Sequence, residues 1–166
     1  MYKTKVTIWT DGACSPKTKI GGYAYIAQYL KWNEEFELYQ LVKEKKDSKT
    51  IISTTNNRME LLAAIRTLQW IIKNRSIDRK DPSANKELYK IHTDSNYVKE
   101  GITKWIIGWK KKNFVGVKNP DLWQLLDKLN GHMGKCVEWH WVRGHDISEG
   151  NIEADRLANL GCTVAK

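Results

Sequence analysis

Four acidic residues, Asp11, Glu60, Asp94 and Asp155, stand in four separate contexts of a chain that is otherwise basic. Asp11 and Asp94 follow strand-like runs, Glu60 opens a helical pattern, and Asp155 lies early in another. Like charges a few ångströms apart repel strongly inside a protein, so a fold gains little by gathering them unless divalent cations neutralise the cluster. The set looks like a metal site. If it is one, strand ends and helix starts must converge on a single point.

The local patterns fit that demand. Val6, Ile8 and Thr10 alternate with Thr7 and Trp9, the period of a strand, and Asp11-Gly12 follows as a turn signal. Residues 22–27 and 36–41 read as two more strands joined near Trp32-Asn33-Glu34, and 43–49 reads as a solvated loop. From Asn57 onward Leu61, Leu62, Ile65, Leu68 and Ile72 recur at helical spacing until the pattern fades at 73–75. A polar loop over 78–87 precedes a strand over 88–93, a helical stretch over 97–109, a helix over 121–129, a strand over 137–142 and a last helix over 151–160. This order predicts an α/β fold: a five-stranded mixed sheet, antiparallel meander first, with helices on both faces.

Composition narrows the partner. With 166 residues, 41% of them hydrophobic, the chain is expected to form one domain over 1–166. A formal charge of +9, from 28 Lys and Arg against 19 Asp and Glu, favours a polyanion: nucleic acid or an acidic membrane surface. No apolar span is long enough to cross a bilayer, and the start runs straight into a strand-like segment rather than a signal peptide. A soluble, cytoplasmic protein that is not secreted is expected. Cys14, Cys136 and Cys162 are odd in number and widely separated, which supports neither a disulfide framework nor a zinc knuckle. Several of the eight Trp lie among lysines, suggesting surface aromatics on a basic ground.

Each acid alone has an ordinary explanation. Asp11-Gly12 fits a turn, Asn57 with Glu60 fits a helix cap, Asp94-Ser95 fits another cap, and Asp155 fits a solvated helical face. Independent caps would not need the distinctive neighbours these acids carry. The segments Thr10-Asp11-Gly12-Ala13-Cys14, Thr54-Thr55-Asn56-Asn57-Arg58-Met59-Glu60-Leu61, Thr93-Asp94-Ser95-Asn96-Tyr97-Val98, Trp105 to Trp109 with Lys110-Lys111, Asp121-Leu122-Trp123 and Val142-Arg143-Gly144-His145 occur in one order along the chain. Together they resemble type 1 ribonuclease H, the family that cuts the RNA strand of an RNA–DNA hybrid.

The resemblance implies a ribonuclease H-like fold and roles for named residues. Asp11, Glu60, Asp94 and Asp155 become metal ligands, and an oxygen-only set without Cys or paired His suits Mg²⁺, with Mn²⁺ as substitute. Two ions roughly 3.5–4 Å apart would serve in-line hydrolysis, leaving 5′-phosphate and 3′-hydroxyl ends. His145 becomes a group that assists proton transfer or product departure. Cys14, Asn56, Asn57 and Asn96 match positions that contact the hybrid minor groove, and Thr55 the DNA phosphate pocket. Trp105, Trp109 and Trp123, with Lys110, Lys111, Lys112, Lys118 and Asn119, resemble a basic handle that embraces the DNA strand. Such a protein is expected to be a monomer, and no protein partner is implied.

Two other functions use the same features. A DNA transposase, integrase or junction resolvase can share the fold, but the 56–60 and tryptophan–lysine segments point away from it. A catalytically silent hybrid-binding module is the other, and four intact carboxylates argue against silence.

Overall fold

The computed structural model describes residues 3–75, 87–144 and 148–163. Thr4–Cys14 (β1), Gly21–Asn33 (β2) and Leu38–Ile51 (β3) form the antiparallel meander. Glu87–Thr93 (β4) adds to β1 in parallel, and Val137–Trp141 (β5) adds to β4 in parallel, giving one sheet of order β3-β2-β1-β4-β5. The helices are Asn56–Asn74 (α1), Asn96–Glu100 (α2), Ile106–Lys111 (α3), Pro120–Met133 (α4) and Glu149–Thr163 (α5). The mixed sheet with its leading meander is the one the sequence implied.

Alternation along β1 assigns the two layers. Val6 and Ile8, fully buried, meet Leu61, Ala64, Ile65, Leu68 and Ile71 of α1, together with Tyr25, Ala27 and Tyr29 of β2. Leu122, Trp123 and Leu126 of α4 extend the same core. Each such aliphatic side chain contributes about 1.5–3 kcal/mol by leaving water. The other face of β1 and β2 takes α5. There Gly150 sits against the Trp9 ring, and a Cβ on Gly22 would lie 2.2 Å from the carbonyl oxygen of Ala158.

Four local expectations need correction. β1 does not end at Asp11 but pairs with β2 as far as Cys14. Gly12 lies within a strand because the α1 backbone rests on it: a Cβ there would be 2.3 Å from the Glu60 nitrogen. Residues 43–49 are strand, not loop. They pair with 23–29 of β2 after a bulge between Tyr29 and Leu30, and their polar run reads as loop because β3 is an exposed sheet edge, where charge deters pairing with other chains. The α1 cap is Thr55, whose Oγ1 accepts from the Arg58 N–H at 3.3 Å, so Asn57 falls inside the helix rather than before it. The stretch 97–109 is helical but not uniform: a wider π-helical turn, Gly101–Trp105, separates α2 from α3. Gly101 backs onto Trp123 there, leaving no room for a side chain.

The loop expected at 78–87 lies outside the described residues except for Glu87, which opens β4. The three cysteines form no disulfide among the described residues. Among the described residues, no helix is long and apolar enough to cross a membrane.

Candidate active site

The parallel pairing of β1 with β4 places Thr10 opposite Thr93, so the next residues, Asp11 within β1 and Asp94 just past the end of β4, lie side by side. Glu60 enters from the α1 start, brought close by the missing side chain of Gly12. One oxygen from each of the three carboxylates lies within 4.8 Å of the others. Asp11 and Glu60 are only 3% and 5% exposed, so their charges are poorly screened by water.

Electrostatics report the crowding. Burial first, then the Asp94 charge, raises the Asp11 carboxyl from its ordinary 3.8 to about 8. Burial, then Asp11 and Asp94, pushes Glu60 well above the usual carboxylate range. Glu60 Oε2 is buried with no hydrogen-bond partner among the described residues. Such an orphaned acceptor is costly unless something satisfies it. Three clustered carboxylates, one with a lone oxygen, fit a hard divalent cation.

Asp155 lies on α5 at the rim. It is exposed, its Oδ1 accepts from Asn159 Nδ2 at 3.1 Å, and it is near enough to help raise Asp11. It stands outside the tight trio. The Asp94 backbone carbonyl accepts from the exposed Trp141 indole at 3.1 Å. Ser95 caps α2 by accepting from the Val98 N–H at 3.2 Å, so the serine rather than Asp94 fills the cap role.

The proposed hybrid-contact residues divide into exposed and structural groups. Thr55, Asn56, Asn57 and Asn96 are exposed around the trio. Cys14 is half-buried, its thiol donating to the Thr54 carbonyl at 3.4 Å. Trp105 is 43% exposed and Trp109 half-buried, with ring centroids 5.9 Å apart. Trp123 is a correction: it is fully buried, its indole donating to the Tyr97 hydroxyl at 2.9 Å, because it fills the space beside Gly101. Its ring packs edge-on against that of Trp109, centroids 4.9 Å apart. Lys111, Lys112 and Lys118 are exposed without an ion-pair partner among the described residues, whereas Lys110 reaches Asp127 at 3.1 Å. Asn119, in a left-handed conformation, is occupied structurally, accepting from Arg58 and donating to Tyr97. His145 lies outside the described residues.

Arg58 and Asp121 lie in distinctive segments of the sequence, but no local pattern assigns them a role. Arg58 grips Asp121 through two bonds, 3.0 and 2.7 Å, tying the α1 start to the α4 start. Such a fork is geometrically specific, although the pair is partly solvated and contributes modestly to stability.

Residues 3–163 match the family model for RNase H. The chain belongs to the ribonuclease H family. That family degrades RNA in RNA–DNA hybrids, and its members are hydrolytic nucleases. Among curated relatives, the Ribonuclease H of Treponema denticola is 43% identical over 165 residues, covering 95% of this chain and 96% of its own. That of an Acidovorax species is 40% identical over 162 residues, covering 95% and 94%. Among solved structures, the chain resembles LC9-RNase H1, described as a type 1 RNase H with the type 2 active-site motif. The TM-score is 0.74 at 24% identity, over 98% of this chain and 74% of the other. The RNase H domain of PFV gives 0.64 at 20% identity, over 99% and 96%. These two support the ribonuclease H fold.

Proposed function

We propose that this ribonuclease H is an endonuclease that hydrolyses the RNA strand of an RNA–DNA hybrid with two hard cations, Mg²⁺ or in its place Mn²⁺, leaving 5′-phosphate and 3′-hydroxyl ends. The observation that carries the reading is the trio Asp11, Glu60 and Asp94, the first two buried, with a Glu60 oxygen that has no hydrogen-bond partner among the described residues. Asp11, Glu60 and Asp94 would hold the cations, with Asp155 completing the set from the rim. When bound, the ions supply activation of the attacking water and stabilisation of the leaving oxygen.

The remaining residues bind and orient. Asn56, Asn57, Asn96 and Cys14 offer small polar groups beside the trio, the kind that can distinguish a strand with 2′-hydroxyls from one without. Thr55 holds a DNA phosphate. Trp105 and Trp109 present ring surface, while Lys111, Lys112 and Lys118 supply charge to the DNA backbone, with a lesser share from Lys110. His145 moves a proton or helps product leave.

Incubating end-labelled RNA–DNA hybrid, duplex RNA and duplex DNA with Mg²⁺, Mn²⁺ or chelator tests the reading. Cleavage confined to hybrid RNA and lost in chelator is expected. Cutting of duplex DNA would favour the transposase or resolvase class, and hybrid binding without cutting would favour a silent module.

Two substitutions probe the supporting residues. His145→Ala should lower kcat more than it raises KM; an unchanged kcat over roughly pH 6 to 9, where an imidazole can titrate, would remove the histidine from the mechanism. Replacing Lys110, Lys111 and Lys112 by Ala should weaken binding to hybrids of every sequence. The log–log salt slope should fall by about 0.9 per lost phosphate contact, measured with Ca²⁺ to permit binding without cutting. Parallel slopes would mean that the handle lysines face only solvent.

A further inference from the structure

The charges of β3 are sorted by face. On the side shared with Ile26 and Gln28, they neutralise one another: Lys46 reaches Glu44 at 3.3 Å and Glu153 at 3.4 Å, and Gln28 donates to Glu44 at 2.9 Å. On the other side, in register with Tyr29, Ala27 and Tyr23, stand Lys43, Lys45 and Lys49. All three are exposed, and none has an ion-pair partner among the described residues. Asp47 shares that column, but its carboxylate is turned to the sheet, Oδ2 accepting from the Tyr25 hydroxyl at 3.4 Å and Oδ1 from the Ser48 N–H at 2.9 Å. A strand that used charge only to guard its edge would have no need to segregate it in this way.

Register places this column relative to the trio. Lys49 pairs with Tyr23, and Tyr23 with Gly12, the residue after Asp11. At about 4.8 Å per strand, the Lys49 Cα lies about 10 Å across the sheet from Gly12. From there the column runs back about 20 Å to Lys43, at roughly 3.3 Å per residue. It lies on the α1 side of the sheet, with α1 between it and the handle, because β3 is the edge opposite β4 and β5. Single-strand charge repeats every 3.4 Å or so along a duplex, so the column spans about six base steps.

We infer that Lys43, Lys45 and Lys49 form a second phosphate-binding surface, which engages the hybrid backbone beyond the carboxylate site on the side away from the handle. The inference rests on the hybrid reading above and extends its footprint. The two basic arms flank the trio, so a hybrid long enough to reach both is held at two places. A short hybrid meets the handle and the trio alone.

The test combines Lys43→Gln, Lys45→Gln and Lys49→Gln and titrates hybrid in Ca²⁺ over a range of salt. It uses a short hybrid and one lengthened by about six base pairs at either end, matching the column. The triple variant should reduce the salt slope on the long hybrid by up to about 2.7, three contacts at about 0.9 each, and leave the short one unchanged. Lys46→Gln, on the neutralised face, should leave both slopes unchanged. Turnover at saturating hybrid should survive. If the triple variant folds poorly by circular dichroism, Lys45→Gln alone should still lower the long-hybrid slope by about 0.9.

Parallel slopes on the long hybrid, while the Lys110–Lys112 variant does lower them, would overturn this surface and leave the hybrid reading intact. Failure of the wild-type protein to bind hybrid in a salt-dependent way would overturn both. So would preferential binding to anionic vesicles.

Discussion

Asp11→Asn is expected to abolish cleavage and, in chelator, to raise the melting temperature. Both effects follow from the same crowding. The substitution removes one carboxylate from the trio without changing its shape, so cation binding fails while repulsion is relieved. Turnover should fall by roughly 1,000-fold or more, about 4 kcal/mol in the barrier. Stability should rise by about 1–3 kcal/mol, the usual cost of an unsatisfied buried polar group. The sign with pH follows from the raised Asp11 carboxyl, about 8 against an ordinary 3.8. A group whose folded value is raised favours folding in its protonated form. Its stabilisation is complete below about pH 4 and is lost as pH rises through about 8. Without cations, the variant should therefore gain most over wild type in the alkaline range, and divalent cation should restore the wild type there. Glu60→Gln and Asp94→Asn should abolish cleavage in the same way. Asp155→Asn should be milder, since that residue is exposed and stands outside the tight cluster. Near-normal turnover by Asp94→Asn, or an unchanged melting point for Asp11→Asn in chelator, would defeat the assignment.

Gly12→Ala should be nearly as damaging without touching any carboxylate. The new methyl would lie 2.3 Å from the Glu60 nitrogen and 2.4 Å from the Met59 carbonyl carbon, both backbone atoms that cannot swing aside. Either β1 or the α1 start must move. Overpacking of this kind costs about 3 kcal/mol. Moving Glu60 relative to Asp11 by about an ångström should cost roughly 100-fold in turnover. Thermal melting and single-turnover cleavage check the two halves separately. A variant with wild-type stability and rate would show that β1 and α1 slide past each other more freely than their contact implies.

The sheet and its helices were legible because buried elements leave periodic traces. Val6 and Ile8 mark β1, and Leu61, Ile65, Leu68 and Ile72 mark α1. Residues 43–49 were illegible for the converse reason: an edge strand with little cover needs no apolar alternation, so its charges read as loop. The carboxylates could be found because each sits in a segment of unusual neighbours, but their mutual distance is a property of the β1–β4 register, which no local pattern encodes. Trp123 was misplaced because a tryptophan beside a lysine-rich stretch looks like surface, and only the absence of a side chain on Gly101 reveals the hole it fills. The Arg58 fork to Asp121 joins residues 63 positions apart, a contact that a single sequence cannot pair.

The wide turn over Gly101–Trp105 makes the chain sensitive to residue count as well as residue identity. An α-helix advances about 100° per residue, so the register of everything after the turn depends on its width. Tightening the stretch into regular helix without removing a residue would rotate α3 by roughly that angle, because the wide turn takes up one residue more than an α-turn. Ile106 would swing out of the core, and Trp109 would leave the Trp123 ring that it meets at 4.9 Å. Conservative exchanges of Thr103, an exposed residue, should be absorbed with little loss. Removing one residue there, so that an ordinary α-turn replaces the wide one, would leave α3 near its present register, whereas adding one would turn it out of the core; the segment should tolerate the loss of a residue but not the gain.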